Sequence, residues 1–178
     1  LWDFGQAGAE TVVLHLSNYL SDKGHEVRIL TINSKDQLSQ RLNTEVRFTT
    51  FNKKRIISSL IPLIKLIRTE NIDCFVANVW PLTVVSTIAG FFCSGFRQKL
   101  FLIEHGNLGE EFKRRSKLFK LLQRLSIYFF YNQAYKVIAV SNGVGEDLIR
   151  KGLRNEKVRV IYNPAYPHIV KNELSCQE

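Results

Sequence analysis

The sequence has 178 residues, 45% hydrophobic and 23% charged, which is the balance of one globular domain with its own core and excludes a disordered chain. No apolar run approaches the roughly 18 residues of a membrane-spanning helix, and three widely spaced cysteines without a Cys-x-x-Cys pair argue against zinc and for a reduced, cytoplasmic setting. The formal net charge of +9 favours anionic partners such as nucleotides, phosphates or anionic lipid.

Strand-length apolar runs alternate with helical apolar patterns along the chain. In chain order they predict a helix over residues 11–20, strands over 27–32 and 46–51, a helix over 55–70, a strand over 74–77, a helix over 81–92, a strand over 100–103, a helix over 110–131, a strand over 137–140, a helix over 143–151 and a strand over 158–161. This alternation predicts an α/β fold, a Rossmann-like parallel sheet with helices on both faces. Such sheets bind ligands beyond the carboxyl ends of their strands, so we expect functional residues in the loops there.

The loop before the first helix is rich in small residues. Gly5 and Gly8 would let the backbone approach a ligand, and the free N–H groups of a helix start attract phosphate. A tight turn explains the same glycines equally well. A GxGxxG fingerprint with an acidic residue about 20 positions on does not occur, which argues against a dehydrogenase.

Two further loops follow predicted strands. Glu104 and His105 end one strand, where an imidazole can hydrogen-bond a sugar hydroxyl or a phosphate and titrates near neutral pH. A histidine hydrogen-bonded only by the backbone is the alternative interpretation. Ser141 follows another strand and either caps the next helix or points into a ligand cleft, and the two roles are compatible.

The predicted helix over 110–131 is basic and amphipathic. Its basic side chains are Lys113, Arg114, Arg115, Lys117, Lys120 and Arg124, with no acid between residues 112 and 131. This pattern is typical of an element that lies on an anionic membrane surface, although an ordinary packed helix with a solvated basic face shows it too. No RNA-binding motif accompanies it, so we expect no nucleic-acid partner.

Five segments resemble family 4 glycosyltransferases, in that family's order over nearly the whole chain. They are Gln6-Ala7-Gly8-Ala9-Glu10 before the first helix, Lys23-Gly24-His25-Glu26-Val27, Glu104-His105, Val140-Ser141, and Val160-Ile161-Tyr162-Asn163-Pro164. One departure is that Ala7 stands where the family has the first of two glycines.

The resemblance implies half of a GT-B fold. Residues 1–162 would be the N-terminal, acceptor-side domain with a truncated first strand, and residues 163–178 a hinge towards a C-terminal domain that binds a nucleotide sugar. The absence of methionine likewise leads us to expect that Leu1 is not the native N-terminus. His105 would be the catalytic residue. The residues that the resemblance implies in binding substrate or donor are Gly5, Ala7, Gly8, Glu104, Ser141 and Asn163.

The implied function is transfer of a sugar from a nucleotide-sugar donor to a glycan or lipid-linked acceptor, with retention of configuration and no metal or other cofactor. We expect a cytoplasmic enzyme, peripheral on the inner face of the cell membrane, whose 178-residue fragment is inactive alone. Two alternatives remain open at this point. One is a non-catalytic Rossmann-like module that binds anionic lipid or another polyanion, and the other is half of a GT-B sugar-nucleotide epimerase.

Overall fold

The computed structural model of this chain describes residues 1–5, 8–33 and 36–163. Helices and strands alternate within these residues, as the apolar periodicity predicts. In chain order they are α1 (Gly8–Asp22), β1 (Arg28–Thr31), β2 (Arg47–Thr50), α2 (Leu60–Thr69), β3 (Phe75–Asn78), α3 (Leu82–Phe91), β4 (Leu100–Glu104), α4 (Leu108–Glu111), α5 (Lys117–Phe130), β5 (Lys136–Ala139), α6 (Asn142–Arg150) and β6 (Val158–Val160). Short 3₁₀ segments cover Ser39–Arg41, Ile56–Ser59, Phe96–Lys99, Tyr131–Gln133 and Asn155–Lys157.

The strands form two parallel sheets where the sequence predicts one. β1 pairs with β2, and the larger sheet has the order β3-β4-β5-β6. The first residues of the chain lie beside the end of β1, where the Ile32 N–H donates to the Leu1 carbonyl at 3.0 Å and Phe4 forms an isolated parallel bridge with Asp36. No strand among the described residues pairs with strands of both sheets. The α/β, Rossmann-like class is confirmed.

Each sheet has its own hydrophobic core. The core of the larger sheet surrounds β4, whose Leu100 and Leu102 have no exposed surface. The smaller core lies between α1 and β1 and includes Phe4, Leu14 and Ile29. β3 is an edge strand of the larger sheet, and its Val76 is 39% exposed.

The prediction of a single helix over residues 110–131 is wrong. The segment forms two helices, α4 and α5, separated by residues 112–116. Ser116 has an extended ψ of 156°, and its side chain accepts a hydrogen bond from the Phe119 N–H at 3.3 Å, which caps the start of α5. The apolar periodicity continues through the break because Phe112 packs inward on Trp80, so the periodicity alone could not reveal it.

Two of the three cysteines lie in the described part of the chain. Cys74 is exposed and Cys93 is buried, and both are free thiols. Partial burial raises the pKa of the Cys74 thiol above its usual value. None of the helices in the described ranges is long and apolar enough to cross a bilayer. Cys176 and Pro164, part of the predicted hinge, lie outside the described residues.

Gly152 ends α6 in a conformation that only glycine adopts easily. Its φ is +102°, and an added Cβ would lie 2.7 Å from Cδ2 of Tyr128 on α5. We expect Gly152→Ala to lower the free energy of unfolding by about 2 kcal/mol, from backbone strain and the clash together. Urea unfolding followed by circular dichroism measures the change.

Gly143→Ala is the matched control for Gly152→Ala. Gly143 lies in the first turn of α6, and an added Cβ there meets no atom within 4 Å. This substitution should leave stability unchanged or raise it by up to about 1 kcal/mol, because alanine favours the helix. Equal losses in the two variants would contradict the strained conformation at Gly152.

Candidate functional site

The polar residues predicted to contact ligand at the ends of β4 and β5 lie along one edge of the larger sheet. β3, β4 and β5 are parallel neighbours, and the register places Asn78 beside Ile103 and Glu104 beside Ala139. The segments that follow these strands therefore meet at the carboxyl edge, where open α/β sheets bind ligands. The structure brings Glu104 and His105 together there with Asn78, a residue that the sequence did not single out.

Glu104 faces the protein interior and has no exposed surface. It accepts a short hydrogen bond from the Tyr131 hydroxyl, and further bonds from the Thr83 hydroxyl and the Trp80 N–H, each at 3.4 Å. Thr83 and Tyr131 also share a hydrogen bond of 2.6 Å. Through these contacts Glu104 joins the end of β4 to α3 and to the segment after α5. Its predicted part in donor binding stays a prediction.

Tyr131 is the residue of this network that sequence reasoning missed. Complete burial, and then the neighbouring Glu104 carboxylate, raise the pKa of its phenol well above the usual value of 10. The phenol therefore stays neutral, and its O–H donates a hydrogen bond to the carboxylate. The only signal in the sequence was a tyrosine at the end of an apolar helix, where a purely hydrophobic role is the ordinary expectation.

His105 is half-buried and is held by Asn78. Its Nε2 lies 3.1 Å from Oδ1 of Asn78, which is itself only 4% exposed. Because the Asn78 oxygen can only accept, Nε2 carries the proton and Nδ1 is an acceptor. Nδ1 is buried and has no partner among the described residues. The imidazole thus offers one hydrogen-bond acceptor to a hydroxyl group of a ligand.

The environment of His105 also sets its charge. Burial lowers the pKa of the imidazole below its usual value of 6.5, so His105 is neutral at pH 7. A neutral histidine can accept a hydrogen bond at Nδ1, which an imidazolium cannot. The contribution of His105 to the free energy of unfolding is present above about pH 6.5. It is lost as the pH falls from there through the pKa of His105 in the folded protein, because the unfolded chain takes up the proton more readily.

The loop between β3 and α3 carries strain beside the site. Val79 has a φ of 63°, a left-handed conformation that is unfavourable for a β-branched side chain. Such strain persists where the surrounding contacts impose it, and it concentrates at functional sites. Here the Val79 N–H donates to the Ile103 carbonyl at 2.9 Å, and the indole N–H of Trp80 donates to the Ser126 hydroxyl at 3.1 Å.

Ser141 caps α6, as one of its two predicted roles requires. Its hydroxyl accepts from the Val144 N–H at 3.3 Å. Asn107 caps α4 in the same manner, accepting from Gly109 and Glu110 at 3.0 and 3.2 Å. Contact between Ser141 and a ligand stays a prediction.

The remaining predicted residues are not gathered around His105 by any described contact. Gly5 ends the first described segment, Gly8 begins α1, and Ala7 lies outside the described residues. An added Cβ at Gly8 would meet no atom of the described residues within 4 Å. Asn163 is exposed at the last described position.

The described residues hold no candidate metal site, and an open groove on the domain lies apart from the predicted site residues. No three His, Cys, Asp or Glu side chains there are arranged to hold a metal ion. An open groove of about 410 Å³ lies between α6 and β6, and its lining includes none of the predicted site residues. The carboxyl edge around His105 therefore remains the candidate site.

Comparisons with known proteins agree with this fold. The sequence model of Glycosyltransferase Family 4 matches residues 7–167. No curated protein is significantly similar to the chain in sequence. Crystal structures of HepE from Anabaena have a similar fold: its complex with UDP-glucose superposes with a TM-score of 0.66 at 20% identity, covering 96% of this chain and 47% of HepE.

Two more HepE complexes give the same result. The complex with UDP and glucose has a TM-score of 0.61 at 21% identity and covers 96% of this chain and 47% of HepE. The complex with UDP has a TM-score of 0.63 at 22% identity, and the match covers 97% of this chain and 48% of HepE. The chain thus spans about half the length of these solved proteins, and the likeness concerns the fold.

The contact between Asn78 and His105 predicts the titration of the imidazole. In the wild type, we expect its NMR signals to show a pKa below the usual value. Asn78→Asp places a carboxylate at Nε2, which favours the imidazolium, so the pKa of His105 should rise. The exposed Asn155→Asp is the control and should leave it unchanged. An Asn78→Asp variant with an unaltered His105 titration would disprove the contact.

Proposed function

Because the chain belongs to Glycosyltransferase Family 4, we propose that it supplies the acceptor-side half of a catalytic cleft that transfers a sugar from a nucleotide-sugar donor to a glycan or lipid-linked acceptor. The family match over residues 7–167 is the observation that carries the proposal. The likeness to HepE, solved with UDP and with UDP-glucose, supports a uridine-nucleotide sugar as the first donor to test.

The proposed cleft needs a second domain opposite this one. The chain spans about half of HepE, so the proposed activity belongs to a protein in which a second domain faces the carboxyl edge of the larger sheet. Residues 163–178 would then form the hinge. In this arrangement, the second domain holds the nucleotide, and the edge with His105 holds the acceptor and one side of the transferred sugar.

In the proposed reaction, His105 positions the transferred sugar. Its neutral ring has an Nδ1 acceptor without a partner in the described part of the chain, which suits a sugar hydroxyl. Asn78 holds the ring in one tautomer and orientation. A hydroxyl held in this way fixes the anomeric carbon for attack, and fixed orientation lowers the barrier to transfer.

The proposed chemistry draws its charge stabilisation from protein groups. As the bond to the diphosphate breaks, negative charge develops on the leaving group and positive charge on an oxocarbenium-like sugar. Fixed hydrogen-bond donors at helix starts stabilise such a leaving group without a metal ion or another cofactor. Retention of configuration belongs to the same proposal on the basis of the family resemblance. A place at the inner face of the cell membrane belongs to it on the basis of the basic residues in 112–130.

We expect His105→Ala to lower kcat/KM for transfer from UDP-glucose roughly a hundredfold in the full-length protein, as expected when one positioned polar contact is lost. The free energy of unfolding should fall by about 1–2 kcal/mol, because Oδ1 of Asn78 loses its partner. Steady-state kinetics and urea unfolding of the same samples give the two numbers.

The exposed His25→Ala serves as the control, since His25 lies in the turn after α1. Its kinetics should equal those of the wild type. Unchanged sugar transfer by His105→Ala would show that His105 takes no part in the reaction. Hydrolysis or epimerisation of the donor, with no transfer to any glycan or lipid-linked acceptor, would favour the epimerase alternative.

Residues 1–178 alone should transfer no sugar, because they form only one of the two domains that the proposed cleft requires. A radiolabelled UDP-glucose assay with a purified acceptor, run beside the full-length protein, measures this. Transfer by the 178 residues alone would show that the site is already complete.

A further inference from the structure

The short helix α4 begins at Leu108, three residues after His105, and packs against α6. Leu108 is buried in the core of the larger sheet. A second contact between the two helices is polar, because Oδ2 of Asp147 on α6 accepts a hydrogen bond from the Gly109 N–H at 3.1 Å. The segment 105–108 is therefore held at both ends, by β4 before it and by α6 after it.

Asp147 is a buried carboxylate whose charge is compensated within α6. Its side chain is 6% exposed, and Oδ2 also accepts from the ammonium of Lys151, whose side chain is 15% exposed. A guanidinium nitrogen of Arg150 lies 3.5 Å from Oδ1. A carboxylate is costly to bury without such partners. The two cations therefore allow Asp147 to lie against the backbone of α4.

The bond from Gly109 to Asp147 is not needed to complete the start of α4. Asn107 caps this helix, and its Oδ1 already accepts from the Gly109 N–H at 3.0 Å and from the Glu110 N–H at 3.2 Å. The Gly109 N–H thus has two acceptors, one in the cap and one on α6. Burial of Leu108 has no direction of its own, whereas a hydrogen bond does. The added effect of Asp147 is therefore to fix where α4 lies along α6.

The glycine at position 109 allows this close approach. A Cβ there would lie 2.9 Å from Oδ1 of Asp147, 3.1 Å from Oδ1 of Asn107 and 3.3 Å from Nζ of Lys151. The Asp147 side chain is short, buried and held by Lys151. We therefore expect an added methyl group to displace α4 from α6 rather than to displace the carboxylate.

We propose that Asp147 is a positioning residue for His105. Its carboxylate holds the segment that follows His105 against α6, while Asn78 holds the imidazole at Nε2. Together the two attachments fix the direction in which Nδ1 presents its acceptor to a sugar hydroxyl. Transfer depends on that direction, because a small misplacement of a contact group is costly in rate. This inference rests on the proposed role of His105 in sugar transfer, and Asp147 itself contacts no ligand.

Substitutions of Asp147 separate its hydrogen bond from its charge. Asp147→Asn and Asp147→Ala both remove the negative charge, but only asparagine keeps an oxygen that can accept from the Gly109 N–H. In the full-length protein, Asp147→Ala should lower kcat for transfer from UDP-glucose roughly tenfold and leave KM for the donor within about twofold. Asp147→Asn should keep kcat within about threefold of the wild type. Glu146→Ala removes an exposed carboxylate from the same helix and is the matched control, with wild-type kinetics.

Gly109→Ala disturbs the same contact from the other side and removes no polar group. It should lower kcat about as much as Asp147→Ala does. In the double variant, Gly109→Ala should add no more than about a twofold further loss, because both substitutions break one contact. Gly143→Ala controls for a glycine-to-alanine change in a helix, since its added Cβ meets no atom of the described residues within 4 Å.

The NMR signals of the His105 imidazole report the placement of the ring without any sugar transfer. They are assigned by comparison with His105→Ala. The ring nitrogen shifts should move in Asp147→Ala and in Gly109→Ala, and should stay at their wild-type values in Asp147→Asn and in both controls. Thermal unfolding checks that each variant is folded, and Asp147→Asn with Gly109→Ala carries the comparison if Asp147→Ala does not fold.

Three results would overturn the proposal. The first is wild-type kcat in folded Asp147→Ala and Gly109→Ala, which would leave Asp147 a structural role alone. The second is a loss of kcat with unmoved His105 signals, which would mean that Asp147 does not act through His105. The third is an Asp147→Asn variant or a control that loses as much as Asp147→Ala. If the full-length wild type transfers no sugar, the proposed function fails instead, and the His105 signals alone decide whether Asp147 positions the ring.

Discussion

A carboxylate with no exposed surface lies at the carboxyl end of β4, and the surrounding protein must supply its hydrogen bonds. Glu104 receives them from the Tyr131 hydroxyl after α5, the Thr83 hydroxyl in α3 and the Trp80 N–H after β3. Removing a partner would leave a buried charge poorly compensated, so these elements are held in one arrangement. The candidate site lies on the edge that this arrangement supports.

Glu104 and His105 are adjacent in sequence and differ in their surroundings. Neighbouring residues at a strand end project to different sides. Glu104 therefore reaches Thr83 in α3 and Tyr131 after α5, while His105 reaches Asn78 on the neighbouring strand end. The first is satisfied by protein, and the second keeps a buried Nδ1 that no described residue contacts with a hydrogen bond. This difference separates a supporting residue from one that can contact a ligand.

Trp80 connects the site to the outer surface of the domain. Its backbone N–H donates to Glu104, its indole N–H donates to Ser126, and its ring packs against Phe112 and Phe119. α5 thus has its polar contacts directed inward and its leucines directed outward. α5 therefore presents a basic, apolar outer face beside the residues that support Glu104.

Local periodicity was enough to predict most of the elements, because an apolar face repeats every 3.6 residues in a helix and runs of apolar residues mark buried strands. The α/β class, the position of His105 at a strand end and the cap at Ser141 follow from such short-range patterns. The break before α5 was missed, since the apolar residues of 112–130 keep their spacing across it while Ser116 starts a new helix.

The sequence by itself determined the fold class, the family and the strand ends where a ligand site belongs, since these depend on residues close together in the chain. Only the tertiary structure decided that Asn78 holds His105 and that Tyr131 holds Glu104, because each pair is separated by 27 positions and is joined by packing. It also decided which side of α5 faces outward. An amphipathic pattern specifies two faces of a helix, and only the neighbours of that helix determine which face is buried.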